Sequence, residues 1–161
     1  MEVGISGLSS EFDEPPGLDQ EGVARLSTPV GEAAIEIALD QRLFGPNERL
    51  SFRLMNRGQV ELLTGRAFHV ECWNRQAWIV VPASSAEGFV PAITDEGWLL
   101  EPGGNTQTQR WPFPGMTVGT GWYRIVKPAR FEGSRHGLPN QKLLARARFR
   151  VGSEPRSDPS P

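Results

Sequence analysis

The residues with the most chemical potential are His69, Cys72 and His136, because imidazole and thiolate are common zinc ligands. His69-x-x-Cys72 suggests a metal pair, but on a strand residues three apart point to opposite faces and cannot chelate together. His136, the only other histidine, falls in a loop far along the chain, and zinc needs three or four ligands. No metal site is expected. Cys72 shares its face with Phe68 and Val70 and reads as a small buried hydrophobe. A reactive thiol needs an exposed, electropositive setting. Because it is the one cysteine, an intramolecular disulfide is impossible and stability must come from packing.

Nucleophilic and acid–base chemistry have no clearer foothold. Ser84-Ser85 lies in a loop without a Gly-x-Ser-x-Gly elbow. Asp95-Glu96 is a carboxylate pair of the kind that solvated turns carry. Gly103-Gly104 and Gly115–Gly121 lack the Gly-Lys-Ser/Thr ending and the following helix of a phosphate loop. With no convergent polar set, no catalytic residue and no cofactor is assigned, and the expectation is a protein that is not an enzyme.

Two groups of residues suit binding instead. Arg124, Lys127, Arg130, Arg135, Lys142, Arg146, Arg148 and Arg150 form a basic ladder whose span holds one acid, Glu132. Arg146, Arg148 and Arg150 alternate along the last apolar run and share one face. Such a stripe protects an exposed edge strand by charge, or it docks an acidic partner or a phosphate. In an intramolecular version, the acidic residues 2–21 fold back over it. The second group is the tryptophans: Trp73, Trp78, Trp98, Trp111 and Trp122. Trp78 and one of Trp111 or Trp122 are expected to fill a core. Trp73, Trp98 and Trp122 join Arg124, Arg146, Arg148 and Arg150 as the candidate interaction surface. Exposed aromatics anchor protein interfaces or stack on sugars. The expected role is therefore an interaction or scaffold module binding a protein partner through a sheet face or edge strand. The alternative is a carbohydrate-binding sandwich using exposed tryptophans. Net charge is −2, so nucleic acid is not an expected partner.

Short strands must position these residues. The 161-residue chain suits one domain with tails, and 18 glycines with 14 prolines supply turns. Glu32–Leu39 and Arg49–Met55 alternate with period two. Further strands follow at Val60–Leu63, Ala67–Trp73, Trp78–Val81, Trp98–Leu100, Thr106–Trp111, Trp122–Val126 and Leu143–Val151. Turns fall at 44–48, 56–58, 74–76 and 101–104, a long loop at 82–93 with Phe89 and Val90 as anchors, and another loop at 129–140. Short strands with turn signals every 8–12 residues are the pattern of a β-sandwich. Residues 1–30 carry six acids before the first base, Arg25, with Pro15-Pro16-Gly17 among them. This acidic segment reads as a mostly disordered tail, as does the Pro/Ser-rich end at 152–161. The sandwich domain is expected over 31–151. Met1–Gly22 has no basic n-region and no long apolar run, so the chain as written is expected to be cytoplasmic. If its start lies upstream, the cell envelope or exterior is expected. No segment approaches the length of a membrane span.

An ordered set of motifs resembles the bacterial immunoglobulin-like domains of small envelope proteins and lipoproteins. It runs from Phe44-Gly45-Pro46-Asn47-Glu48 through Leu50–Asn56, Thr64-Gly65-Arg66-Ala67-Phe68 and Trp78-Ile79-Val80-Val81-Pro82. Leu100-Glu101-Pro102-Gly103 and Gly121-Trp122-Tyr123-Arg124 complete it. The resemblance implies an all-β, immunoglobulin-like antiparallel sandwich with no known catalytic role, and it brings no functional residues. It places Tyr123 as a structural latch, a tyrosine corner whose hydroxyl bonds backbone near Val118–Thr120.

Overall fold

The computed structural model describes residues 14–15, 22–81 and 97–152. The described residues form eleven strands: β1 (Ala24–Thr28), β2 (Gly31–Leu39), β3 (Leu43–Phe44), β4 (Leu50–Asn56), β5 (Leu62–Thr64), β6 (His69–Trp73), β7 (Trp78–Val80), β8 (Trp98–Leu100), β9 (Gln109–Trp111), β10 (Gly121–Phe131) and β11 (Gln141–Val151). One sheet runs β1-β2-β4-β9. The other runs β3-β11-β10-β5-β8, with β6 pairing β10 and β7 pairing β6. All pairings are antiparallel except the short β3–β11 contact. The architecture is an immunoglobulin-like β-sandwich.

Alternation places the core. Leu50, Phe52 and Leu54 of β4 are buried, as are Ile35 and Ile37 of β2. They meet Tyr123, Ile125, Ala129 and Phe131 of β10 and Leu143, Ala145, Ala147 and Phe149 of β11 in one cluster. Trp111, Tyr123 and Phe149 form its aromatic centre, with ring centroids 5.5–5.8 Å apart. Asn56, at the end of β4, joins the sheets. Its amide Nδ2 donates to the carbonyls of Val60 (2.9 Å) and Leu100 (2.8 Å), and its Oδ1 accepts from the Gly58 N–H (2.8 Å). The polypeptide passes so close here that a Cβ on Gly58 would strike the backbone of Glu32 and Ala34.

The expected strands Thr106–Trp111 and Val60–Leu63 are shorter or shifted, to Gln109–Trp111 and Leu62–Thr64, and three larger differences bear on the architecture. Ala24–Thr28, placed in the N-terminal tail, forms β1 and pairs with β2 from Ala24↔Ile35 to Thr28↔Gly31. Leu43–Phe44 pairs with the end of β11, so Phe44, expected to open the turn at 44–48, belongs to a strand. The central strand does not stop at Val126 but runs to Phe131, so the loop is shorter and contains a 3-10 turn at Gly133–His136. Pro128 is tolerated within β10 because of where its missing N–H points. The Pro128 carbonyl accepts from Thr64 Oγ1 at 2.8 Å, so its backbone faces the β5–β6 side. There, β10 is between partners: β6 pairing ends at Val126 and β5 pairing involves Arg130. The expected loop anchors Phe89 and Val90 lie outside the described residues.

Candidate functional site

Position along β10 decides which side chains enter the core and which leave it. Odd-numbered residues face the core cluster. Trp122, Arg124, Val126, Pro128 and Arg130 face outward. Antiparallel register extends that outer face over β11 through Trp122↔Arg150, Arg124↔Arg148 and Val126↔Arg146. On the other side, Arg124↔Glu71 and Val126↔His69 extend it over β6, and Glu71↔Val80 and Trp73↔Trp78 carry it to β7. Arg124, Arg146, Arg148, Arg150, Trp73 and Trp122 are thereby brought onto one surface.

The chemistry of that surface is guanidinium held by carboxylate and indole. Arg124 Nε donates to Glu71 Oε1 at 2.6 Å, and its guanidinium carbon lies 4.3 Å from the Trp78 ring centroid. Burial alone would raise the Glu71 carboxyl. Hydrogen bonds from His69 and Arg124, with the Arg124 charge, outweigh it and hold the pKa below its ordinary value of 4.5. Trp73 packs on Trp78, centroids 5.3 Å apart. Trp122 receives two guanidinium groups, Arg148 at 5.8 Å and Arg150 at 5.7 Å. Its indole N–H is buried and meets no acceptor among the described residues. Arg148 is only 4% exposed, and its Nη1 donates to the carbonyl of Pro15 at 2.6 Å.

Other candidates fall elsewhere. Trp98 lies on the opposite side of the sheet, at register Thr64↔Trp98 beside the buried Leu100, so it does not form a row with Trp73 and Trp122. Trp111 is the core tryptophan. Trp78, expected inside, sits half-buried under Arg124 on the outer face. Tyr123 points inward, and its hydroxyl donates to the Gly119 carbonyl at 2.7 Å. Lys127 departs from the basic ladder altogether. It is fully buried on the core side, donates to the carbonyls of Gly65 and Ala67, and lies 5.6 Å from the Trp98 ring centroid. Burial lowers its pKa from 10.5 to about 8. The signal for this is parity, since Lys127 shares it with Tyr123 and Ile125.

His69 is exposed, with Nε2 2.9 Å from Glu71 Oε2, whereas Cys72 packs against the core. Among the described residues no group of three His, Cys, Asp or Glu converges as a metal site would. No helix there is long and apolar enough to cross a membrane.

The family described as Bacterial Ig-like domain matches residues 31–142. The match spans β2 to the start of β11, so it takes in Trp73, Trp122 and Arg124 but ends before Arg146, Arg148 and Arg150. None of the curated proteins matches the chain.

Proposed function

The chain belongs to the bacterial Ig-like domain family, and from that premise we propose that it engages an acidic protein partner through the outer face of β6, β10 and β11. The family supports a non-enzymatic Ig-like module; the face and the partner class are our reading. One observation carries it: Trp122, with two guanidinium groups within 6 Å and a buried N–H that meets no acceptor among the described residues. Cation–π contacts hold the guanidiniums in place. A carboxylate or carbonyl arriving there orders fewer side chains, which lowers the entropic cost of binding. Buried donors ordinarily have acceptors, and a partner's oxygen supplies one once it displaces what covers the ring.

The carbohydrate alternative calls for stacking platforms. Trp98 is on the wrong side of the sheet, and Trp73 and Trp78 pack on each other. The geometry therefore favours charged peptide over sugar.

Calorimetric titration of the full chain against a panel of acidic peptides and a panel of glycans tests this. We expect at least one acidic peptide to bind in low salt, and R150E to weaken it roughly tenfold, the effect of removing one charge-assisted hydrogen bond. Equal binding by R150E would remove the face from the reading. Heat from a glycan alone would move the function to sugar binding.

A further inference from the structure

We infer that the N-terminal segment carrying Glu14-Pro15 is the resident occupant of the arginine–tryptophan face, held in cis by Arg148. The inference rests on the reading above, and names what fills the same surface within this chain.

Three observations converge. Pro15 is buried, although 133 positions separate it from the arginine that holds it. Its carbonyl takes the Arg148 Nη1 hydrogen bond at 2.6 Å, a charge-assisted contact of the stronger class. Val126 and Arg148 point away from the sandwich core and yet are only 2% and 4% exposed. An outer sheet face is buried to that degree only beneath a cover, and Pro15 supplies part of it at Arg148. Finally, the charges are complementary: Met1–Val23 holds Glu2, Glu11, Asp13, Glu14, Asp19 and Glu21 with no lysine or arginine, against a surface that carries Arg124, Arg146, Arg148 and Arg150.

Proline suits the seat for a specific reason. A residue buried against a sheet face must satisfy its backbone groups, and proline brings an acceptor but no N–H. Arg148 meets that single requirement. The contact reads a backbone carbonyl, so it does not depend on the side chain at 15. Selectivity for this segment comes from its flanking carboxylates. The short tether from Pro15 to β1 keeps the segment's effective concentration on the order of mM, so a partner in trans must outcompete it.

The test uses the full chain, labelled with 15N, beside the full-length variant E11Q/D13N/E14Q. These substitutions remove charge with little change in side-chain size, so misfolding does not obscure the result. Expected are shifted amide resonances at Trp122 and Arg146–Arg150, the same shifts on adding salt to the wild type, and no dependence on protein concentration. A synthetic peptide of residues 9–21 should bind the variant roughly fivefold tighter than the wild type, as weak surface ion pairs allow. Unchanged amides would overturn the inference, and R150E-sensitive peptide binding in that case would leave the proposed function standing. Shifts that grow with protein concentration would also overturn it, because the occupant would then come from a second copy. Shifted amides with no peptide bound by either chain would uphold the occupancy while the proposed function fell.

Discussion

The two faces of β10 carry similar residues and use them in opposite ways. Each has an aromatic residue and, a few positions on, a cation: Tyr123 and Lys127 inside, Trp122 and Arg124 outside. Inside, Tyr123 stacks on Phe149 (5.7 Å, 10° between planes) and donates to the Gly119 carbonyl. Lys127 donates to the carbonyls of Gly65 and Ala67. Outside, Trp122 lies against arginines and Arg124 against Glu71 and Trp78. The inner polar atoms are satisfied by backbone, which folding sets once. Outside, the Arg124–Glu71 pair is made by side chains, which can exchange partners, and the Trp122 N–H meets no acceptor among the described residues. The same residue types thus serve architecture on one face and recognition on the other.

The sharpest way to break this contrast is to truncate one aromatic on each face. Phe149 is fully buried and touches Phe44, Trp111 and Tyr123. Phe149→Ala should cost about 3–5 kcal/mol in urea unfolding followed by circular dichroism, the range for large core aromatics. Trp122→Ala removes a half-buried ring from an outer face and should cost no more than about 1 kcal/mol, as substitutions away from the core do. Equal losses would mean that the outer cluster is a second core and not a binding surface.

Period-two alternation makes most of this legible. It places Leu50, Phe52 and Leu54 inward and Arg146, Arg148 and Arg150 together, because both follow from pleat geometry alone. β1 is hidden because Leu26 is its sole large apolar residue and the segment follows an acidic run. Its strand character comes from pairing with β2. The end of β10 is hidden because Pro128 ordinarily ends a strand, and only the gap between β5 and β6 excuses it. Charge groups Lys127 with the basic ladder, although its parity puts it with Tyr123 and Ile125. Glu71 as the partner of Arg124 leaves no trace in the sequence, because tertiary register sets that contact; the acidic run at 2–21 points the N-terminal segment toward the arginine stripe but does not single out the Pro15 carbonyl as the acceptor for Arg148.

Lys127 sharpens the contrast by pH. Its folded pKa of about 8 lies below its ordinary 10.5. Between those values the unfolded chain binds more protons, so stability rises with pH. Burial, and after it the charge of Cys72, raises Tyr123 to about 12 from 10.0. Above pH 10 the folded state therefore binds more protons at Tyr123 and stability falls. Stability in urea unfolding should climb between about pH 8 and pH 10, by about 2 kcal/mol at roughly 1.36 kcal/mol per unit. Lys127→Met should abolish the climb. At pH 7 it should stay within about 1 kcal/mol of the wild type, because relief of the buried charge offsets the two carbonyls left without a donor.

Arg124 should give the smallest effect and one of opposite sign in pH. Glu71 is held below 4.5 by its hydrogen bonds with His69 and Arg124 and by the Arg124 charge, against a burial that pushes it up. A depressed carboxylate contributes stability above its unfolded pKa, and loses it as pH falls through the folded value. Arg124→Met keeps aliphatic contact with Trp78 but removes the donor and the charge, so the Glu71 pKa should rise in a carboxyl NMR titration. The two side chains are each 15% exposed, and the loss should be about 1 kcal/mol at pH 7, the upper end for a partly solvated pair. That loss should shrink as pH falls through the folded pKa of Glu71, because a protonated carboxyl no longer pairs with the guanidinium. The Phe149→Ala deficit has no titrating group behind it and should persist. An Arg124→Met deficit that did not shrink as the Glu71 carboxyl protonated in the NMR titration would mean that Arg124 works by packing on Trp78, and the outer face would lose its electrostatic character.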